Sequence, residues 1–193
     1  MISDVRSGGF LSRSPQRMAR IAGGFYLLNI VTSLIAFSGK DGHALILASG
    51  LLATASYVVV TVLLYFLFRP VNRSLSLIAA LFSLAGCAEG ILNSRHLLSI
   101  PIHSLVFFGC YCLLIGYLIL RSRFLPPLLG ILMVAAGAGW MTFLSPWLAA
   151  HLSPYHYIMG GIGEGLLTLW LLIIGVDEER WKQAAATARA EVR

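Results

Sequence analysis

Six long apolar runs, separated by short segments that hold nearly all the charge, constrain this chain more than any other feature. They lie at about Ile21–Phe37, Ala44–Phe68, Ser74–Leu92, Ile102–Leu120, Leu125–Ser145 and Tyr155–Val176. A hydrocarbon core of about 30 Å takes about 20 apolar residues in a helix, so each run is long enough to cross a bilayer. At that depth no water serves the backbone, and a helix satisfies its polar groups within the segment. The prolines agree with this division. Pro70, Pro101, Pro126, Pro127 and Pro154 fall at the ends of runs, where a missing N–H costs little. Pro146 closes the fifth run and leaves Trp147–Ser153 as an interfacial segment. Composition excludes a water-soluble domain: of 193 residues, 58% are apolar and only 11% charged, against roughly a quarter charged in soluble proteins. The expected fold is an all-α membrane protein, a six-transmembrane-helix bundle with the lipid bilayer as its main partner.

The formal charge of +6 raises nucleic acid as a partner. The distribution excludes it, because the basic residues form short clusters and no continuous stripe. They read instead as orientation signals. Arg6, Arg13, Arg17, Arg20, Arg69, Arg73, Arg121, Arg123, Arg180, Lys182, Arg189 and Arg193 fall on one side of the expected spans. Only Lys40 and Arg95 fall on the other. By the positive-inside rule the arginine-rich side is cytoplasmic, and six spans then put both termini there. The expected division is a cytoplasmic tail over residues 1–19, one transmembrane domain over 20–176, and an Ala-rich, helical cytoplasmic tail over 177–193. The expected location is the cytoplasmic (inner) membrane. Residues 1–38 also carry signal-peptide features, ending in the small-x-small Ala36-Phe37-Ser38. Their apolar run is at the long end for such a peptide, and the six-span reading is kept. Ser14-Pro15 reads as a helix N-cap and first helical residue.

Polar residues inside the spans carry the functional information. Glu89 in the third and Glu164 in the sixth each cost several kcal/mol to insert, and such groups almost always face a bundle interior. They lie about 24 Å and about 18 Å from the inner edge at about 1.5 Å per residue. The two can share a site, opening toward the outer side, if their helices are neighbours. Glu89, Asn93 and His96 recur at i, i+4 and i+7, and form one stripe if the third helix runs past Asn93. Gly161, Glu164 and Thr168 form another; Tyr26, Asn29 and Ser33 mark the first helix, and Thr54, Tyr57 and Thr61 the second. The ligand-binding candidates are therefore Glu89, Asn93, His96, Glu164, Thr168 and Asn29. The alternative for each is an interhelical hydrogen bond, worth about 0.6–2 kcal/mol. His43, His96, His103, His151 and His156 all fall toward the outer side. Histidine with glutamate is metal-ligand chemistry, which makes His96, His103 and Glu89 the candidate metal ligands. No span holds a His-x-x-x-His pair, and the sequence specifies no cofactor. Cys87, Cys110 and Cys112 lie in apolar runs, as packing residues rather than a disulfide framework.

Each glutamate sits in a small-residue frame, Gly86-Cys87-Ala88-Glu89-Gly90 and Gly161-Ile162-Gly163-Glu164-Gly165. Both contain G-x-x-x-G, which lets helices approach closely in lipid and offers a face for a second copy or a membrane partner. The first and fourth runs share a fainter pattern, Gly24-Phe25-Tyr26-Leu27-Leu28 beside Gly109-Cys110-Tyr111-Cys112-Leu113. Both echoes are shifts of three spans, the pattern of a three-plus-three inverted repeat, in which transporters place a midplane site.

Three stretches carry a family resemblance. They are Arg20-Ile21-Ala22-Gly23-Gly24-Phe25-Tyr26, Phe108-Gly109 through Gly116-Tyr117-Leu118 into Phe124-Leu125-Pro126 and Leu129-Gly130-Ile131-Leu132, and Gly163-Glu164 with Leu167 to Leu172 and Gly175-Val176. In that order they resemble the bacterial membrane proteins grouped as domain of unknown function 4386, over most of residues 17–180. The resemblance implies a six-helix membrane protein and no particular activity. The loop Ser38–His43 is shorter than the resemblance leads one to expect. Three readings of function stay open: binding or moving a small solute or proton through a Glu89/Glu164 zone, an accessory subunit whose polar seams only hold helices together, and a metal-dependent membrane enzyme.

Overall fold

The computed structural model describes residues 14–38, 42–94 and 103–190. Lys40, Arg95, His96 and Pro101 lie outside the described residues, and with them the proposed extension of the Glu89 stripe to His96. The described residues form α1 (Pro15–Ser38), α2 (His43–Phe68), α3 (Arg73–Ser94), α4 (Ser104–Arg121), α5 (Pro127–Met141), α6 (Pro146–His151), α7 (Tyr155–Ile173) and α8 (Glu178–Ala190). The six expected spans are present as α1 to α4, α5 with the turn that continues it to Leu144, and α7, each long and apolar enough to cross a membrane. Their outward surfaces match that solvent: Phe37 is 77% exposed, Ile173 67% and Leu128 63%. The chain is a multi-pass membrane protein.

The expected start of α1 is visible in its cap. Ser14 Oγ accepts from the Arg17 N–H at 3.3 Å, and Pro15 opens the helix. The fifth span departs from expectation. α5 ends at Met141 and tightens into a 3-10 turn over Thr142–Leu144, rather than running as α-helix to Ser145. The cause is local. A residue before proline avoids helical geometry, and Ser145 is extended and caps α6 through a bond from the Leu148 N–H at 3.4 Å.

The six spans close into a ring in chain order: α1 packs on α2, α2 on α3, α3 on α4, α4 on α5, α5 on α7, and α7 back on α1. Glycines set the closest of these approaches, because in lipid, without a hydrophobic drive between helices, close van der Waals fit is a main source of association. A Cβ at Gly116 would stand 2.8 Å from the Gly130 carbonyl oxygen, and one at Gly137 2.9 Å from that of Gly109. These two pairs fasten α4 to α5. Gly163 does the same for α7 against the Leu132 carbonyl of α5, and Gly23 for α1 against the Leu172 amide of α7. The G-x-x-x-G frames noted in the sequence behave differently. Gly86 meets the Phe107 and Phe108 side chains, whereas Cβ atoms at Gly90, Gly161 and Gly165 would meet nothing within 4 Å. The two echoed frames thus sit in different surroundings.

The arginine-rich end of the bundle is fastened by α8. Gln16 of α1 donates from Nε2 to the Ile174 carbonyl at 2.6 Å and accepts from the Val176 N–H at 2.8 Å. It thereby ties off the end of α7, where Gly175 takes φ +82°. Asp177 caps α8 through its Oδ1, Trp181 Nε1 donates to the Leu67 carbonyl at 2.8 Å, and Arg180 Nη1 to the Arg123 carbonyl at 3.0 Å.

Candidate functional site

One side chain joins four of the six spans. Glu164, on α7, accepts at Oε2 from the Tyr26 hydroxyl of α1 at 2.7 Å and at Oε1 from the Trp140 indole N–H of α5 at 2.7 Å. The Cys112 thiol of α4 adds a weak contact to Oε1 at 3.9 Å. The glutamate is half-buried, while Tyr26, Cys112 and Leu167 around it are essentially inaccessible. Local sequence explains how the donors reach it. Gly160 lies one turn before Glu164, and the Trp140 ring packs directly on it. Any larger residue there would hold the indole away.

The magnitudes show why this carboxylate is tolerated. Placing an acidic side chain at the centre of a span costs about 2.5–3.5 kcal/mol, and a hydrogen bond to a charged acceptor returns about 1.5–3 kcal/mol. Two such bonds, from Tyr26 and Trp140, offset the insertion. Every donor is neutral, and among the described residues no cation pairs with Glu164; the ion pairs there are Arg180–Asp177 and Lys182–Glu178, both on α8 or its cap.

The axis of the ring beside Glu164 is aromatic. Tyr57 of α2 meets Tyr26, Phe108 and Tyr111 edge to face, at centroid distances of 5.6, 4.9 and 5.8 Å. Toward α6, Trp140 packs near Phe143 and Tyr157, and Phe143 in turn against His103 and His156. Trp140, bonded to Glu164, and the rings packed near it therefore lie toward the end where the sequence suggested an opening.

Glu89 has a different environment. It is 3% exposed, and neither carboxylate oxygen has a hydrogen-bond partner among the described residues. Its helix, α3, packs between α2 and α4, whereas α7 packs between α5 and α1. The two glutamates thus sit on helices that are not neighbours in the ring, and Glu89 makes no hydrogen bond to the Glu164 cluster. The hydrogen bonds between α2 and α3, Thr61 with Ser83 and Ser76 to the Tyr65 carbonyl, set an antiparallel register. Extending it puts Glu89 at the height of Ser56, whose Oγ is also buried and without a partner.

The other candidates are occupied locally. Thr168 Oγ1 donates to the Glu164 backbone carbonyl at 2.7 Å, one turn back on its own helix. Asn29 Nδ2 donates to the Ala53 carbonyl at 3.0 Å and joins α1 to α2. Asn93 is exposed near the end of α3. His103 is exposed and caps α4, its Nδ1 accepting from the Leu105 N–H at 3.2 Å. Among the described residues no three of His, Cys, Asp and Glu gather as a metal would require; His96, the third candidate ligand beside His103 and Glu89, lies outside the described residues. Two contributors to the Glu164 site, Trp140 and Cys112, escaped the sequence reading. The available signal was Gly160, a turn before the glutamate, with an indole-bearing residue near the end of the preceding span.

A ring of six membrane-crossing helices fastened through one hydrogen-bonded carboxylate defines the class as a polytopic membrane bundle. The chain belongs to the family described as "Domain of unknown function (DUF4386)", whose model matches residues 102–175, from the start of α4 to the turn after α7. An uncharacterized protein of Archaeoglobus fulgidus is 33% identical over 129 residues, which covers 61% of this chain and 76% of that relative. No solved structure matches the chain.

Proposed function

We propose that this protein moves a proton across the membrane, alone or together with a small solute, and that Glu164 is the group that takes up and releases it. The reading rests on the combination of donors around Glu164: Tyr26, Trp140 and Cys112 come from three other helices, and none brings a positive charge. A carboxylate held only by neutral donors keeps its own charge open to a proton or small cation. The tight packing of Tyr26, Cys112 and Leu167 favours the smallest occupant, a proton, over a bulky solute bound directly at the carboxylate. Gaining the proton removes one acceptor position and loosens the tie between α1, α4, α5 and α7, so occupancy is coupled to helix packing. Both termini then face the cytoplasm, as the arginine distribution implies, in the inner membrane.

The test is a proton-flux measurement in liposomes carrying an internal pH-sensitive dye, with an imposed potential. Flux through the parent protein is expected to fall to background in Glu164→Gln, which keeps the shape and the acceptor oxygen but cannot ionise. Flux unchanged in that variant refutes the proposal. A second reading has its own support: both Glu164 oxygens already have donors, as in a purely structural latch within an accessory subunit. In that case the parent shows no flux, and Glu164→Gln lowers thermal stability while a partner protein still co-purifies.

A further inference from the structure

We propose that the arginine-rich end of the bundle holds a binding groove for the phosphate-bearing headgroup of an anionic lipid, built from Arg121, Arg123 and Arg180. A groove of about 670 Å³ lies there between the turn joining α2 to α3 (Pro70, Val71), the connection from α4 to α5, and one face of α8. The α8 wall is Arg180, Gln183, Ala184, Thr187 and Ala188. These recur at i, i+3, i+4, i+7 and i+8, a single helical face, and the two alanines leave its centre open. No acidic side chain lines the groove.

The three guanidinium groups are not equivalent. Arg180 is fixed in place by Asp177, Nε to Oδ2 at 3.2 Å, and by its bond to the Arg123 carbonyl. Arg121 and Arg123 have no carboxylate partner among the described residues. With Asp177 balancing one of the three charges, about two remain uncompensated, which matches the about −1.5 to −2 of a phosphate monoester. Guanidinium forks suit phosphate oxygens because two parallel N–H groups meet two acceptors. The Gln183 amide adds a neutral donor to the same wall.

The lipid, rather than a free anion, follows from what flanks the groove. Leu120, one residue before Arg121, is 41% exposed, and Leu128, four residues beyond Phe124, is 63% exposed. Both lie on membrane-crossing helices. A headgroup in the groove thus has an apolar surface beginning beside it for its acyl chains. Basic pockets at this depth between helices are a recurrent way of holding phosphorylated headgroups. Such a lipid would also bridge α8 to the connection between α4 and α5, adding to the hold of Trp181.

The test titrates the full chain, in neutral detergent, with a short-chain phosphatidic acid, with phosphatidylcholine of the same chain length, and with inorganic phosphate, all read by native mass spectrometry. One phosphatidic acid per chain is expected to bind saturably. Arg121→Gln with Arg123→Gln should weaken it about thirtyfold, taking about fivefold for each arginine near an anionic headgroup. Thr187→Trp, which fills the groove without changing charge, should weaken it as well and decides alone if the double variant does not fold. Phosphatidylcholine binding as tightly as phosphatidic acid, or variants binding like the parent, overturns the proposal. Inorganic phosphate binding as tightly as the lipid overturns it too, in favour of a free-anion site.

Discussion

Replacing Gly160 by alanine tests whether the Glu164 junction is assembled as described. The Cβ would stand 2.6 Å from Trp140 Cε2 and 2.9 Å from Cη2, closer than carbon atoms pack. The indole has little room to yield, because its Nε1 is bonded to Glu164 and its ring packs near Tyr157 and Phe143. If the ring holds its place, overpacking costs about 1–3 kcal/mol. If it moves away, a bond to a charged acceptor worth about 1.5–3 kcal/mol is lost instead. The two penalties compete and the smaller prevails, so a destabilisation of about 1–3 kcal/mol is expected. Gly161 and Gly165 are the controls, since a Cβ at either would meet nothing within 4 Å. Alanine at these positions should change stability by less than about 1 kcal/mol and in the stabilising direction, from helix propensity alone. The assay is equilibrium unfolding in detergent, with tryptophan fluorescence reporting the indole environment. Repeating Gly160→Ala in a Trp140→Phe background should cost distinctly less, as the smaller ring has no bond to lose. The reasoning fails if Gly161→Ala or Gly165→Ala costs as much as Gly160→Ala, because α7 would then be rotated from the position described.

Glu89→Leu is expected to leave stability unchanged or raise it by about 1–3 kcal/mol, because it removes a buried carboxylate that has no donor. Glu164→Leu, which strips Tyr26 and Trp140 of their acceptor, should lower stability by a similar amount; thermal unfolding showing equal losses for both would refute the distinction. Gln16→Ala removes two bonds to the segment after α7, at about 1 kcal/mol each, and should speed tryptic cleavage at Arg180 and Lys182 of α8. Unchanged cleavage would mean that α8 is held without Gln16. For orientation, Asn72→Cys and Arg123→Cys should resist an impermeant thiol reagent added to intact cells while Ser153→Cys reacts; the reverse pattern would invert the topology.

The spans were legible because crossing a bilayer is a requirement on length and apolarity, which any stretch of sequence displays by itself. Neighbour relations were not legible, for a reason particular to lipid. In water, a helix advertises its inward face by the polar residues on the other one; here Leu167, fully buried, and Leu166, 44% exposed, are the same residue type one position apart. The G-x-x-x-G at Gly161 and Gly165 makes no close contact among the described residues, while Gly160 and Gly163, with no named motif, do. Depth along the helix, which suggests pairing Glu89 with Glu164, leaves the angular position around the ring undetermined. The polar seams follow helical spacing in the sequence. Thr54 and Thr168, however, turn back to carbonyls one turn earlier on their own helices, an option that spacing cannot distinguish from a bond across helices. Trp140 is not legible because its bond to Glu164 spans two helices, and only the slot at Gly160 shows where the indole fits.

The two carboxylates carry the same insertion cost, and their partners decide what each can do. Helices α1 and α4 lie on opposite sides of the ring, yet both reach Glu164, and both reach the Tyr57 ring. Beside the shared apolar core, polar and aromatic contacts across the bundle run through the Cys112–Glu164 contact and the ring edges at Tyr57, the latter worth about 0.5–1.5 kcal/mol apiece. The α4–α5 seam is fastened by backbone-close glycine contacts that a change of charge leaves untouched. Adding or removing one charge at Glu164 consequently acts on the ties of α7 to its neighbours α1 and α5 and on the weak contact to α4, and spares that seam. Glu89 has no donor to lose, so the same change there has nothing to redistribute. A response to occupancy located at Glu89 rather than Glu164 would require α3 to leave its place between α2 and α4, and that is the arrangement a distance measurement between spin labels on α3 and α7 would expose.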